Sequence, residues 1–223
     1  MRCAELALEL EEPLAGTAPV AARWELVERP KPWGRDHGLV VGGAKVLLVR
    51  ALSQGQSLGP GRKYLVCTNG ARDQCCGIRG PAVAAALERA RPGRAYECSH
   101  LGGHRFAANV LVLPDALCFG RLDARSAAAL AEALDAGVLP LDNFRGRTML
   151  AAEEQAAEIL LRRELALTGL DDVRHVEAMT FDTAQGRVLV RVHAERLEPR
   201  RVSCRDDKLE APTRWTLKSL EPA

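Results

Sequence analysis

The sequence predicts an α/β fold in which a central run of alternating strands and helices is extended by β structure on both its N-terminal and C-terminal sides. Two patterns indicate this class. Short runs of Val, Leu and aromatic residues are bounded by glycine or proline, which is typical of buried strands. Longer Ala- and Leu-rich stretches begin at Pro or Asp and end at Gly, which is typical of helices.

The N-terminal part predicts a segment with some β structure that packs on the core. Trp24–Val27 alternates apolar and charged residues as a short strand does. Leu39–Val41 and Val46–Val49 are β-branched runs separated by Gly42-Gly43, which indicates a hairpin. The remainder of residues 1–36 is predicted to be irregular.

The central part predicts a core in the order strand, helix, strand, loop, hairpin and helix. Tyr64–Cys67 indicates a buried strand that ends at Cys67, and Pro81 suits the first turn of a helix, where its missing N–H costs nothing. This order matches a thioredoxin-like core. The other predicted elements are a helix from Gly80 to about Ala90, a strand at Ala95–Cys98, a loop at Ser99–Ala107, hairpin strands at Asn109–Leu113 and Ala116–Phe119, and helices from Asp123 to Gly137 and from Thr148 to about Leu167.

After Gly169 the pattern changes to strands, predicted at Val176–Phe181, Val188–Val192 and Trp215–Leu217. We therefore divide the chain into three parts. Residues 1–60 form an N-terminal segment packed on the core, residues 61–168 form the thioredoxin-like domain, and residues 169–223 form a C-terminal β extension.

Composition narrows the class of protein. The chain has 223 residues, a net charge of +2 and 4% aromatic residues, which argues against nucleic-acid binding. No run of about 18 uncharged apolar residues occurs, so no membrane-spanning helix is expected. The start of the sequence has no apolar region typical of a secretory signal, and seven cysteines is an odd number for a disulfide framework. These features predict a cytoplasmic protein whose clustered cysteines bind metal or perform redox chemistry.

Two cysteines and two histidines form the chemical pattern in the sequence. Cys67 and Cys76 have eight residues between them, and His100 and His104 have three, two of which are glycines that leave room for a bulky group. Two thiolates and two imidazoles are a complete set of four ligands for zinc or for an iron–sulfur cluster. Structural zinc sites usually bring cysteines within about two to four residues, so the wider spacing favours a cluster.

The sequence around these residues resembles the sucrase/ferredoxin-like family. The resemblance rests on Cys67-x8-Cys76-Gly77 and on His100-Leu101-Gly102-Gly103-His104-x-Phe106-Ala107-x-Asn109. Further matches are Cys3-Ala4, residues 12–18, Trp24, Glu28, Pro32-Trp33-Gly34, Phe144-Arg145-Gly146-Arg147 and Gln155-Ala156-Ala157-Glu158.

The resemblance implies a thioredoxin-like ferredoxin that holds a 2Fe–2S cluster on Cys67, Cys76, His100 and His104. It implies an electron carrier that works with a redox partner protein, rather than an enzyme, and no sequence feature indicates glycosidase activity. Cys75 and Cys98 depart from the family pattern, and either could compete as a ligand. Cys75 is predicted to be a bystander and Cys98 to pack at the end of a strand. Cys3, Cys118 and Cys204 are predicted to be buried or incidental thiols.

The ligand types predict the redox behaviour. Two neutral imidazoles in place of two thiolates leave an oxidised 2Fe–2S site electrically neutral instead of dianionic, which raises its potential. Each imidazole keeps a second N–H, so reduction can take up a proton. Two alternatives are a thiol-redox enzyme on the same fold, which would need a Cys-x-x-Cys pair that the sequence lacks, and a zinc-stabilised module without catalytic activity. Neither the partner nor the oligomeric state is indicated by the sequence.

Overall fold

The computed structural model describes residues 2–35, 40–41, 44–52, 59–205 and 207–223. Within these residues the chain forms four α-helices, fourteen strands and one 3-10 turn at His104–Phe106. The helices are α1 (Cys3–Glu9), α2 (Gln74–Ala90), α3 (Ala124–Asp135) and α4 (Ala152–Glu164). The strands are β1 (Arg23–Glu28), β2 (Val40–Val41), β3 (Ala44–Ala51), β4 (Lys63–Cys67), β5 (Ala95–Cys98), β6 (Val110–Leu113), β7 (Leu117–Phe119), β8 (Phe144–Arg147), β9 (Val173–Glu177), β10 (Thr180–Thr183), β11 (Gly186–Arg196), β12 (Arg200–Arg201), β13 (Leu209–Glu210) and β14 (Thr213–Pro222).

Eight strands of the described chain form one mixed sheet in the order β1-β3-β5-β4-β6-β7-β8, with β2 paired to β3. The parallel strands β4 and β5 are joined by α2, and β6 and β7 form an antiparallel hairpin beside β4. This is the arrangement that the predicted core requires, and the α/β class is confirmed. Because Cys67 lies opposite Cys98 in the parallel pair, the loops that follow these two strands emerge at the same edge of the sheet.

The side chains of β4 alternate between the two faces of the sheet, and both faces are buried. Tyr64 and Val66 belong to the apolar cluster formed with α2 and α3. Leu65 and Cys67 belong to the cluster on the opposite face, which also contains Cys3 of α1. The N-terminal helix therefore lies on the same side of the sheet as Cys67.

The C-terminal strands form a second, antiparallel sheet in the order β14-β11-β10-β9. This sheet packs on α4 through a buried cluster that includes Leu161, Phe181 and Val190. The predicted C-terminal β structure is therefore present, whereas the N-terminal strands β1, β2 and β3 belong to the main sheet. No helix within the described residues is long and apolar enough to cross a lipid bilayer.

Helix α2 begins earlier than the sequence predicted. We expected a start at Gly80 because Pro81 suits a first turn, but the helix starts at Gln74 and Pro81 lies inside it. Asp73 makes the early start possible, because its carboxylate accepts a hydrogen bond from the Cys75 N–H at 3.0 Å and so caps the helix. Cys75 and its neighbour Cys76 consequently lie in the first helical turn rather than in a loop.

The other differences concern the limits of elements. Helix α1 and strand β8 were not predicted, and α4 begins at Ala152 rather than near Thr148. The strand predicted at Val176–Phe181 is divided between β9 and β10 by a turn in which Ala178 has a φ of 42°. The predicted hairpin pairs β2 with β3, although Leu39 and Gly42-Gly43 lie outside the described residues.

A buried carboxylate on β5 ties the N-terminal segment to the sheet. Glu97 is 4% exposed and accepts hydrogen bonds from Lys31 at 2.9 Å and from Arg50 Nε at 2.7 Å. Burial by itself would raise the pKa of Glu97, but the bonds from Lys31 and Arg50 outweigh it and lower that pKa. The stabilisation is therefore complete above the pKa of an unfolded glutamate and is lost as the pH falls through the lower pKa of the folded state.

We predict that Glu97→Gln lowers the free energy of unfolding by about 1–3 kcal/mol at pH 7, because two cations lose a buried charged partner. The difference from the wild type should be constant near neutrality and should close below about pH 4. Urea unfolding at several pH values measures this difference. Glu25→Gln is the matched control, because its exposed pair with Arg23 should contribute less than about 1 kcal/mol. Equal effects of the two substitutions at pH 7 would contradict the prediction.

Candidate metal centre

Cys67 and Cys76 meet where β4 ends and α2 begins. Each is 1% exposed, and their thiols are close enough for each to shift the pKa of the other. The Cys76 thiol and the adjacent His100 ring outweigh burial and lower the pKa of Cys67, whereas Cys67 together with burial raises the pKa of Cys76. The pocket therefore favours a thiolate at Cys67.

Close backbone packing brings the two cysteines together. A Cβ atom on Gly77 would lie 2.8 Å from the Cα of Gly70, and one on Gly80 would lie 2.3 Å from the Cys67 carbonyl oxygen. Side chains at these two positions would push α2 away from the end of β4. These two glycines of α2 are thus required for its close approach to the end of β4.

His100 and His104 lie on the loop that follows β5. Their ring centroids are 5.4 Å apart, and the His100 ring lies close enough to the Cys67 thiol to lower its pKa. Among the described residues, no hydrogen-bond partner is found for Nδ1 of His100 or for either ring nitrogen of His104, although all three atoms are buried. A buried polar atom without a partner is costly, so these nitrogens have unused capacity to bind a ligand.

The charge state of His104 suits metal binding. Its Nε2 lies 3.6 Å from Oδ2 of Asp73. Burial lowers the pKa of His104 below its usual value, and the nearby Asp73 carboxylate opposes this shift without cancelling it. The ring is therefore neutral at pH 7, which is the form that ligates metals.

Arg145 holds the histidine loop in place. Its guanidinium is buried and donates to the Gly102 carbonyl at 3.2 Å and to Asn109 Oδ1 at 2.8 Å, and Asn109 in turn donates to the Gly103 carbonyl at 2.9 Å. A Cβ atom on Gly103 would lie 2.3 Å from the guanidinium. Gly103 therefore leaves space for the Arg145 guanidinium, and not for a bulky group as the sequence suggested. A Cβ atom on Gly102 would contact only Pro19, at 3.7 Å.

The structure brings the four predicted residues into one chain of contacts, from Cys76 to Cys67, to His100 and to His104. Their four ligand atoms are not among the groups of described residues that converge within 4.8 Å of one another. A single tetrahedral ion needs such convergence, because its ligand atoms lie within about 4 Å of one another. The arrangement is more open than a site for one ion.

A second group, which the sequence did not predict, does converge. Cys3, Asp73, Cys75 and Cys204 place one ligand atom each within 4.8 Å of one another and could hold a metal ion. Cys3 is buried, in keeping with the prediction of a buried or incidental thiol, but the sequence did not indicate that Cys3, Cys75 and Cys204 lie together. Because Cys3 and Cys204 are separated by 201 positions, no local spacing could have revealed the group.

The thiols of this second group influence one another. The hydrogen bond between the Cys3 and Cys75 thiols lowers the pKa of Cys75 to about 7, despite burial. The same hydrogen bond, together with burial, raises the pKa of Cys3. Of the other cysteines, Cys98 is fully buried beside Cys67, and Cys118 lies 3.5 Å from Arg145, as the sequence predicted for packed thiols.

The fold and the site define a mixed α/β domain with a buried cysteine–histidine pocket at the edge of its main sheet. Residues 48–146 match the model of the family described as sucrase/ferredoxin-like, which supports the family that the motifs predicted. This segment contains Cys67, Cys76, His100 and His104, but neither Cys3 nor Cys204.

The chain is also similar to the altered inheritance of mitochondria protein 32 of Candida glabrata. The two are 30% identical over 96 residues, which cover 36% of this chain and 31% of the relative. The chain thus spans about a third of the length of that relative. No solved structure matches the chain significantly.

We predict that Arg145→Lys lowers the free energy of unfolding by about 2–4 kcal/mol, because an ammonium cannot replace the fork of donors that joins Gly102 and Asn109. The histidine loop should loosen, so His100 and His104 should react faster with diethylpyrocarbonate, as mapped by mass spectrometry. Arg121→Lys is the matched control, because Arg121 also stacks on Phe106 and is half-buried but donates to Ala7 and Glu12 instead. Unchanged histidine reactivity in Arg145→Lys would show that the loop does not depend on it.

Proposed function

We propose that this protein is a one-electron carrier whose 2Fe–2S cluster is held by Cys67, Cys76, His100 and His104. One observation supports this most directly: buried imidazole nitrogens of His100 and His104, which have no hydrogen-bond partner within the described part of the chain, lie near two buried thiols. Such a mixed set of soft sulfur and imidazole ligands is accepted by iron–sulfur clusters. The open spacing of the four side chains also fits a group larger than one ion.

When bound, such a cluster would accept and release one electron. The chain would contribute a dry pocket, because Cys67 and Cys76 are each 1% exposed and His104 is 8% exposed. The Leu101 backbone N–H helps to lower the pKa of Cys67, and N–H groups directed at sulfur tune the potential of a cluster. Arg145 adds a buried positive charge near Cys76, which favours the reduced form of a nearby redox group.

His104 could also carry a proton. A proton on Nε2 would face Oδ2 of Asp73 at 3.6 Å, which leaves Nδ1 as the unprotonated nitrogen that can ligate. A carboxylate beside the second ring nitrogen is the usual way in which proteins orient a metal-binding histidine. The proposed carrier thus has a group that can couple electron uptake to proton uptake. We further propose that it works in the cytoplasm with a redox partner protein, as a carrier rather than as an enzyme.

A thiol-redox function is the second candidate. The proximity of the Cys67 and Cys76 thiols and the lowered pKa of Cys67 are features that a reactive dithiol would also show. The visible spectrum separates the two functions, because a cluster is coloured and a dithiol is not.

We predict that protein isolated without oxygen is red-brown and holds about two irons and two acid-labile sulfides per chain. Cys67→Ser and Cys76→Ser should each lose most of the iron, since each removes a ligand. Cys98→Ser is the matched control, because Cys98 lies opposite Cys67 in the neighbouring strand and is equally buried. Iron and sulfide analysis with a visible spectrum measures this. A colourless wild type with a titratable Cys67–Cys76 dithiol would support the thiol-redox function instead.

We predict that the midpoint potential falls as pH rises through the pKa at which an imidazole of the oxidised site loses its remaining N–H proton, because reduction then takes that proton back up. The limiting slope for one proton per electron is about 59 mV per pH unit. His104→Cys should lower the potential and flatten this slope, since a thiolate adds negative charge and has no second N–H. Redox titration of the wild type and the variant over a range of pH measures both effects. A wild-type midpoint potential that does not change with pH would contradict the proposed proton coupling.

A further inference from the structure

Three thiols outside the proposed cluster site form a nearly equilateral triangle. The Sγ atoms of Cys3 and Cys75 are 3.4 Å apart, those of Cys75 and Cys204 are 3.4 Å apart, and those of Cys204 and Cys3 are 3.3 Å apart. The Asp73 carboxylate completes the group, with its Oδ1 and Oδ2 atoms 3.7 and 3.9 Å from the Cys3 Sγ. Three segments that are distant in sequence therefore meet in one small volume.

We propose that Cys3, Cys75, Cys204 and Asp73 bind a structural zinc ion. An ion about 1.2 Å above the plane of the three sulfur atoms would lie about 2.3 Å from each, which is the usual Zn–S bond length. A carboxylate oxygen of Asp73 lies within 4.8 Å of the three sulfur atoms and can supply the fourth ligand that tetrahedral zinc takes. The site therefore needs no large movement of its side chains to accept the ion.

The donor set distinguishes zinc from other occupants. The sulfur separations of 3.3 to 3.4 Å are far longer than a disulfide bond of about 2.05 Å, and all three cysteines are free. Three thiolates exclude the hard cations Ca²⁺ and Mg²⁺, which prefer oxygen ligands. A carboxylate as the fourth ligand disfavours Cu(I), which prefers sulfur throughout, and suits Zn²⁺.

The surroundings of the group are arranged as in other metal sites. The Asp73 carboxylate is fully buried, and its Oδ2 accepts hydrogen bonds from the Cys204 N–H at 2.9 Å and from the Ser203 hydroxyl at 3.2 Å. The Cys75 N–H is the one backbone donor of the described residues that bonds to Asp73 Oδ1. This oxygen therefore keeps a lone pair that can bind a metal. The Cys3 N–H also donates to the Cys204 sulfur at 3.1 Å, which stabilises a thiolate there. Hydrogen bonds to the ligands are a regular feature of metal sites.

A metal ion can reach the group from solvent. Cys204 is partly exposed and borders a surface pocket of about 390 Å³, which is also lined by Arg2, Glu5, Gln74 and Arg201. The bound ion would join α1, the first turn of α2 and the segment between β12 and β13. Because Cys75 precedes Cys76 directly, the zinc site would also fix the position of a residue that we place in the cluster site.

The test measures zinc, iron and acid-labile sulfide in the full chain purified without oxygen from cells supplied with both metals. The wild type and the control Cys118→Ser should each hold about one zinc ion per chain. The double variant Cys3→Ser/Cys204→Ser should lose zinc at least about fivefold, because two of four ligands are removed. Its iron and sulfide contents report on the separate proposal for Cys67, Cys76, His100 and His104.

The wild type alone provides a second readout that does not depend on how the variant folds. Cys3, Cys75 and Cys204 should be alkylated by iodoacetamide only after zinc is removed by a chelator, whereas Cys118 should react equally before and after. A wild type with less than about a tenth of an equivalent of zinc after incubation with zinc salt under reducing conditions would overturn the proposal. The proposal would also be overturned if the double variant held as much zinc as the wild type. It would likewise be overturned if the double variant lost iron while neither protein held zinc.

Discussion

The buried carboxylate of Asp73 is the group on which the arrangement of both sites depends. It caps α2 through the Cys75 N–H, holds the C-terminal segment through the Cys204 N–H and the Ser203 hydroxyl, and lies 3.6 Å from Nε2 of His104. Burial alone would raise the pKa of Asp73, but these N–H donors outweigh it and lower that pKa, so the group is charged at neutral pH. A buried charged group is stable only when it is well hydrogen-bonded, which explains why several chain segments converge on Asp73.

Asp73 also explains how two neighbouring cysteines serve different groups. Successive residues in a helix point about 100° apart, so the first turn of α2 directs Cys75 towards Cys3 and Cys204 and directs Cys76 towards Cys67. A loop would not hold these directions. Starting the helix at Gln74 is thus a requirement of the site, and the Asp73 cap meets it.

Arg145 holds the histidine loop in position, as Asp73 holds the first turn of α2 in position. Its planar fork joins Thr17 of the N-terminal segment, Gly102 of the histidine loop and Asn109 at the start of the hairpin. Because the guanidinium is buried, each N–H must find an acceptor, and the loop supplies carbonyl oxygens. His104 begins a 3-10 turn, but the loop that carries both histidines is held in place by contacts with distant residues.

The sequence by itself determined the α/β class, most strands of the core and the candidate ligands Cys67, Cys76, His100 and His104, because apolar periodicity and residue spacing act over a few residues. It missed the start of α2, since Pro81 outweighed the cap at Asp73 in the sequence pattern. Only the tertiary structure decided that Cys3 and Cys204 meet Cys75, and that Gly103 makes room for Arg145. These contacts join residues far apart in the chain, and they depend on how the faces of the sheet and the helices pack rather than on any local pattern.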